Sequence, residues 1–162
     1  MKIAIIYTSK YGTTEKVACS IAEKLKETHE VELFSLKKNP YPDISGFEAA
    51  ILGSPIYMGQ SSKKMKAFCK ANESVLRQKK TGLFVCGMHP DKEQQRKELR
   101  DAFPEALQNQ AASTAFLGGA FLFEKMNFFE RMIIKKIAKT TTSVQQIDYD
   151  AVDEFLKIFK HN

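Results

Sequence analysis

Three short segments bring together residue types that can do chemistry. The first, Thr8-Ser9-Lys10-Tyr11-Gly12-Thr13-Thr14, follows an apolar run and precedes a helical pattern. Hydroxyls on Thr8, Ser9, Thr13 and Thr14 donate hydrogen bonds at many angles, and Gly12 lets the backbone turn tightly against an anion. A helix N-terminus directly behind such a turn adds free N–H groups and a partial positive charge, the combination that holds a phosphate. The alternative is that Thr13 or Thr14 caps the helix while the other hydroxyls face water. Neither G-x-x-x-x-G-K-[ST] nor G-x-G-x-x-G occurs, which argues against nucleotide hydrolysis and against dinucleotide binding of the usual kinds.

The second segment, Gly53-Ser54-Pro55-Ile56-Tyr57-Met58-Gly59-Gln60, joins two glycines and a proline to large apolar and aromatic groups. A flat ring system needs backbone donors along its edge and apolar surface on its face. Tyr57 or Met58 can supply the face, and Gly59 can turn a peptide unit toward the edge. A turn with incidental apolar residues fits the same string. The third segment, Cys86-Gly87-Met88-His89-Pro90, places His89 either at the edge of a bound ring or on the surface.

Elements that alternate in type must position these segments. Lys2 to Thr8 is apolar without alternation, the mark of a strand buried on both faces. Glu15 to Glu27 has helical spacing through Val17, Ala18, Ile21, Ala22 and Leu25. Glu30 to Leu36 alternates, as an outer strand does, and Phe47 to Leu52 is a third strand. Ser61 to Lys79 reads as a helix and Thr81 to Cys86 as a fourth strand. Asp91 to Gln108 is helical with a break near Pro104, and Ser113 to Phe121 is a fifth strand. Helices near Glu124 to Lys139 and Asp148 to Lys160 close the chain, separated by the polar Thr140-Thr141-Thr142-Ser143. Strand–helix alternation of this kind predicts an α/β fold, a doubly wound parallel sheet with helices on both faces. Without repeats or a composition break, residues 1–162 are expected to form one domain. In such sheets ligands sit beyond the carboxyl ends of the strands, where all three segments lie.

The bulk properties bound the function. Three scattered cysteines (Cys19, Cys69, Cys86) and three scattered histidines offer neither a disulfide framework nor a metal cluster. No apolar run approaches the ~20 residues of a membrane span, and the N-terminal run lacks a cleavage signal, so a cytoplasmic location is expected. The net charge of +6 favours anionic ligands or surfaces in general, but no nucleic-acid partner is expected.

Ser9-Lys10-Tyr11-Gly12-Thr13-Thr14 resembles the flavodoxin phosphate signature [S/T]-x-T-G-x-T, with Tyr11 in place of the central threonine. Within that family, Gly53 to Gly59, Gly118-Gly119-Ala120-Phe121 and Phe128 to Ile137 are similar to segments of the menaquinone-dependent protoporphyrinogen oxidases. The resemblance implies a flavodoxin-like five-stranded sheet of order 2-1-3-4-5 and non-covalent FMN. It also implies that Thr8, Ser9, Lys10, Tyr11, Gly12, Thr13 and Thr14 surround the phosphate. Ser54, Pro55, Ile56, Tyr57, Met58 and Gly59, with Cys86, Gly87, Met88 and His89, would then surround the ring. No side chain of the chain itself is expected to be catalytic, because the flavin carries the chemistry.

Two redox functions follow. One is an FMN-dependent oxidoreductase that oxidises a substrate such as protoporphyrinogen and passes electrons to a quinone or another redox partner. The other is a flavodoxin-type carrier, whose surface would normally be acidic, unlike this +6 chain. A phospho-receiver role is disfavoured, because Thr8 and Ser54 stand where acidic residues are required. Finally, the segment from Glu124 to Lys139 carries Lys125, Arg131, Lys135, Lys136 and Lys139 against Glu124 and Glu130. Met126, Phe129, Ile133 and Ile137 recur at helical spacing, and Phe128, Met132 and Ile134 widen the apolar arc. Such a helix either packs on the sheet or makes a peripheral contact with an anionic membrane and meets a quinone there.

Overall fold

The computed structural model describes residues 1–121, 125–138 and 144–162. Glu124, Lys139 and the polar stretch 140–143 lie outside the described residues.

The central sheet is built from β1 (Lys2–Tyr7), β2 (Glu30–Ser35), β3 (Ala49–Tyr57), β5 (Lys80–Cys86) and β6 (Ser113–Phe116) in the order β2-β1-β3-β5-β6. All four pairings are parallel, in agreement with the expected topology. The unbroken apolar character of the inner strands reflects two separate cores. Ile3, Ile5, Ala49, Ile51 and Phe84 pack under α1 (Thr13–Lys26) and the C-terminal α7 (Tyr149–His161). Ala4, Ile6, Ala50, Leu52, Leu83 and Val85 point the other way, toward Met65, Phe68, Ala102 and Leu107. Those residues belong to α2 (Lys63–Ala71), α4 (Lys92–Ala102) and α5 (Glu105–Gln110). Strand alternation thus sends neighbouring residues into opposite apolar layers.

Four local expectations are corrected. The segment expected as a loop from Ser54 is strand through Tyr57. It pairs with β5 as far as Pro55↔Cys86, then folds back onto β4 (Gln60–Ser61). Met58 (φ 54°) and Gly59 (φ 72°) form the two-residue turn, the left-handed conformation at both positions that suits a tight hairpin. Pro55 is tolerated because Gly53, of the same parity, faces β1 and accepts from the Thr8 N–H at 3.1 Å. At Pro55 that side has no further ladder to lose.

The helix expected over Ser61 to Lys79 begins after β4 and breaks at Asn72 into α2 and α3 (Glu73–Leu76). The fifth strand is split. Gly118 (φ 75°) turns the chain after Leu117, so β7 (Gly118–Phe121) leaves the main sheet and pairs antiparallel with β8 (Val144–Ile147), a strand the sequence pattern did not announce. Finally, the basic apolar helix α6 is shorter than expected, Phe128–Ala138. None of the described helices is long and apolar enough to cross a membrane.

Candidate functional site

At the carboxyl end of the sheet the three segments converge on a cavity of about 640 Å³. Ser9, Lys10, Tyr11, Thr13 and Thr14 line one part of it. Pro55 to Gly59 line a second, and Cys86, Gly87, Met88 and His89 a third. Each segment lies at or beyond the carboxyl end of its strand, and register places the three together: Tyr7 pairs with Gly53, and Pro55 with Cys86.

The first loop has the features of an anion cradle. Gly12 is the N-cap of α1 with φ 96°, a left-handed conformation, and no side chain caps the first turn. The reading in which Thr13 or Thr14 caps the helix is therefore not what the chain does. The contrast with the other helices is informative. Ser62, Asp91 and Asp148 cap α2, α4 and α7 by accepting from N–H groups three residues on, and Asn127 does the same at α6. Among the described helices of nine or more residues, α1 alone presents an uncapped N-terminus, and it does so at the floor of the cavity. The Ser9 hydroxyl accepts from the Gly12 N–H at 3.0 Å and closes the loop on itself. Thr8 is buried, and its Oγ1 has no partner among the described residues. Ser54 is fully buried below the surface of the cavity, where its hydroxyl accepts from the Ser62 N–H at 3.1 Å and ties β3 to the start of α2.

Aromatic groups stand beside the cradle. The Tyr11 and Tyr57 rings meet edge to face, with centroids 6.0 Å apart. The Lys10 ammonium lies 3.6 Å from the Tyr57 centroid, a cation–π contact. Lys10 also pairs with Glu130 of α6 at 2.8 Å, and the Tyr11 hydroxyl donates to the same carboxylate. The Lys10 hydrogen bond, followed by that of Tyr11, holds the Glu130 carboxyl below its ordinary range. Tyr11 moves the opposite way: burial first, then its bond to Glu130, raises its phenol pKa. The Lys125 ammonium donates to the Tyr11 carbonyl at 3.1 Å.

On the far wall, Cys86 is buried and its thiol is pushed up to about 12, so it is a wall and not a nucleophile. His89 has a local structural task. Its Nδ1 accepts from the Asp91 N–H at 3.1 Å at the start of α4.

Besides Pro90, which ends the third segment, the cavity is lined by Gln94, Glu98, Gly119, Ala120 and Met126, none of which the sequence assigns to the cofactor. Gln94 and Glu98 lie one helical turn apart on α4, a spacing that only the position of the helix over the cavity makes meaningful. Glu98 is 5% exposed and its Oε2 has no partner among the described residues; burial raises its carboxyl pKa. Gly119 comes in because β7 crosses behind the third loop, where the Gly87 N–H donates to the Gly118 carbonyl at 2.9 Å.

A family model described as the flavodoxin domain matches residues 4–148. The chain belongs to the flavodoxin-domain family. Oxidised flavodoxin 1 from Bacillus cereus superposes with a TM-score of 0.60 at 20% identity, covering 100% of this chain and 99% of that one. A flavodoxin from Streptococcus pneumoniae TIGR4 gives 0.57 at 20% identity, over 86% of this chain and 100% of that one. The chain is also 20% identical over 173 residues to the protoporphyrinogen IX dehydrogenase [quinone] of Escherichia coli K12, covering 99% of this chain and 96% of the relative. Within the flavodoxin-domain fold, then, residues of the first loop and of the two companion segments line one cavity.

Proposed function

We propose that this flavodoxin-domain protein is an FMN-dependent oxidoreductase that oxidises an organic substrate and passes electrons to a quinone. FMN is the cofactor of the family, and the residues present fit it. The uncapped helix terminus supplies N–H donors for a terminal phosphate, the unpartnered Thr8 hydroxyl can turn toward it, and Lys10 balances its charge. Tyr57, Met58 and the Gly87–His89 backbone would border the ring. When bound, the flavin accepts and releases electrons, while the protein fixes its position and surroundings.

The observation that carries the enzyme reading is the cavity's shape. At about 640 Å³ it sits within the range of small-molecule sites, ~300–1,000 Å³. It also extends past the three cofactor segments to Gln94, Glu98, Gly119 and Ala120. Gln94 and Glu98 would offer polar partners to a second molecule beside the flavin. The end-to-end similarity to a protoporphyrinogen IX dehydrogenase [quinone] supports a porphyrinogen as donor. The +6 charge weighs against a carrier that docks basic partners through an acidic face.

Titration with FMN, followed by visible absorbance and flavin fluorescence quenching, tests the cofactor. Saturable 1:1 binding is expected, and its absence overturns the whole reading. Anaerobic turnover of protoporphyrinogen with a menaquinone analogue then separates enzyme from carrier. A holoprotein that exchanges electrons only with other proteins is a carrier.

A further inference from the structure

Helix α6 carries four large apolar side chains on the outside of the molecule. Phe128 is 72% exposed, Phe129 70%, Met132 51% and Ile133 37%, and the two phenylalanine rings touch each other edge to face. Successive residues of a helix are about 100° apart around its axis. These four therefore share an arc of about 140°, and Lys135 and Lys136, both exposed, fall on or beside the same arc one turn further on. Glu130 points to the opposite side, where it holds Lys10 and Tyr11. That anchor fixes the rotation of the helix: the face with the phenylalanines and lysines is turned away from the body.

A patch of this size and chemistry calls for a covering surface. Exposed phenylalanine and methionine side chains with lysines on the same helix face match the pattern of a helix that lies in a lipid interface. Its two cations follow the apolar residues along the axis, and Lys125 is exposed beside its start. A second copy packed with the helices parallel would set Lys135 and Lys136 of both copies against each other, which disfavours that arrangement.

We infer that α6 docks the protein on an anionic lipid surface, with Phe128, Phe129, Met132 and Ile133 entering the acyl boundary and Lys135 and Lys136 among the headgroups. The position gives this a purpose. Met126, two residues before the helix, is buried and lines the cavity, so the docked helix starts beside the flavin site. The lipid contact itself is independent of the redox reading. That a lipophilic quinone enters there rests on it.

Flotation of the full chain with phosphatidylcholine vesicles, with and without 30% phosphatidylglycerol, tests the inference. Binding is expected only to the anionic vesicles and weakens with salt. K135Q/K136Q should lower the affinity about thirty-fold, from ~5-fold per cation. F128S/F129S should lower it at least tenfold, and thermal melts of both variants should match the parent because these side chains support nothing in the body. Absence of vesicle binding, or equal binding by parent and both variants, overturns the proposal. So does a concentration-dependent dimer, without vesicle binding, that F128S/F129S dissolves. FMN titration in the absence of lipid separates this result from failure of the flavin reading: vesicle binding without FMN binding sinks only the latter.

Discussion

The backbone of Gly119 packs directly against that of Gly87, and this contact gives a sharp test of how the cavity is built. A Cβ on Gly119 would stand 2.7 Å from the Gly87 carbonyl oxygen and 2.8 Å from its carbon. Both partners are main chain, so no side chain can swing aside. One of the two segments must move by several tenths of an ångström. Overpacking of this kind costs ~1–3 kcal/mol, and for a chain of this length each kcal/mol lowers the melting temperature by roughly 2–4 °C. G119A should therefore melt about 3–10 °C below the parent. Gly46 is the matched control, because a Cβ there has nothing within 4 Å. G46A should melt within about 2 °C of the parent or slightly above it. Since the displaced segment is the Gly87–His89 wall, G119A should also weaken FMN binding, read by fluorescence titration at a temperature where both proteins are folded. A G119A protein with the melting temperature and FMN affinity of the parent would refute the arrangement in which β7 crosses directly behind the third loop.

Two further predictions concern carboxylates whose titration has opposite signs. Glu130 has a depressed pKa in the folded chain, so its contribution is present above its ordinary value of 4.5 and is lost as pH falls through the lowered folded value. E130Q should cost ~1 kcal/mol at pH 7, and the gap between the two melting curves should close in acid; a gap that persists unchanged would show that the charge is not what matters. Freed of its carboxylate partner, Lys10 should also hold FMN more tightly in E130Q. Glu98 runs the other way: its pKa is raised, so the folded chain loses stability as pH climbs from 4.5 through the raised value. E98Q should be more stable than the parent at pH 7, by on the order of 1 kcal/mol, and equal to it below pH 4.5. A destabilised E98Q at neutral pH would mean that Glu98 is charged and paired.

The sheet was legible in the sequence because burial on both faces leaves a plain mark: Ile3 to Tyr7 and Ala49 to Leu52 have no polar positions to alternate with. Strand order followed from chain alternation and the family resemblance. The local errors have a common cause. Ser54 to Gln60 reads as loop because Gly and Pro usually end strands, yet Pro55 sits where no ladder bond is needed, and Met58 accepts a left-handed conformation without being glycine. β8 was hidden because its partner β7 is an outlier of its own, turned out of the sheet at Gly118. The Gln94 and Glu98 wall was invisible because α4 reads as an ordinary charged helix until its place over the cavity is known.

Tyr11 is the point at which the chain departs from the phosphate signature of its family, and the structure gives that departure a task. A threonine at this position has neither a ring to set against Tyr57 nor a hydroxyl far enough from the backbone to reach Glu130. Tyr11 does both, while its carbonyl accepts from Lys125. The substitution thus ties the first cofactor loop to the ring hairpin on one side and to the start of α6 on the other. The rotation that turns Phe128 and Phe129 outward is set by the same Glu130 that touches Tyr11 and Lys10. Cofactor loop and surface helix thus share one carboxylate, which takes the Lys10 ion pair of 2.8 Å and the Tyr11 hydroxyl together.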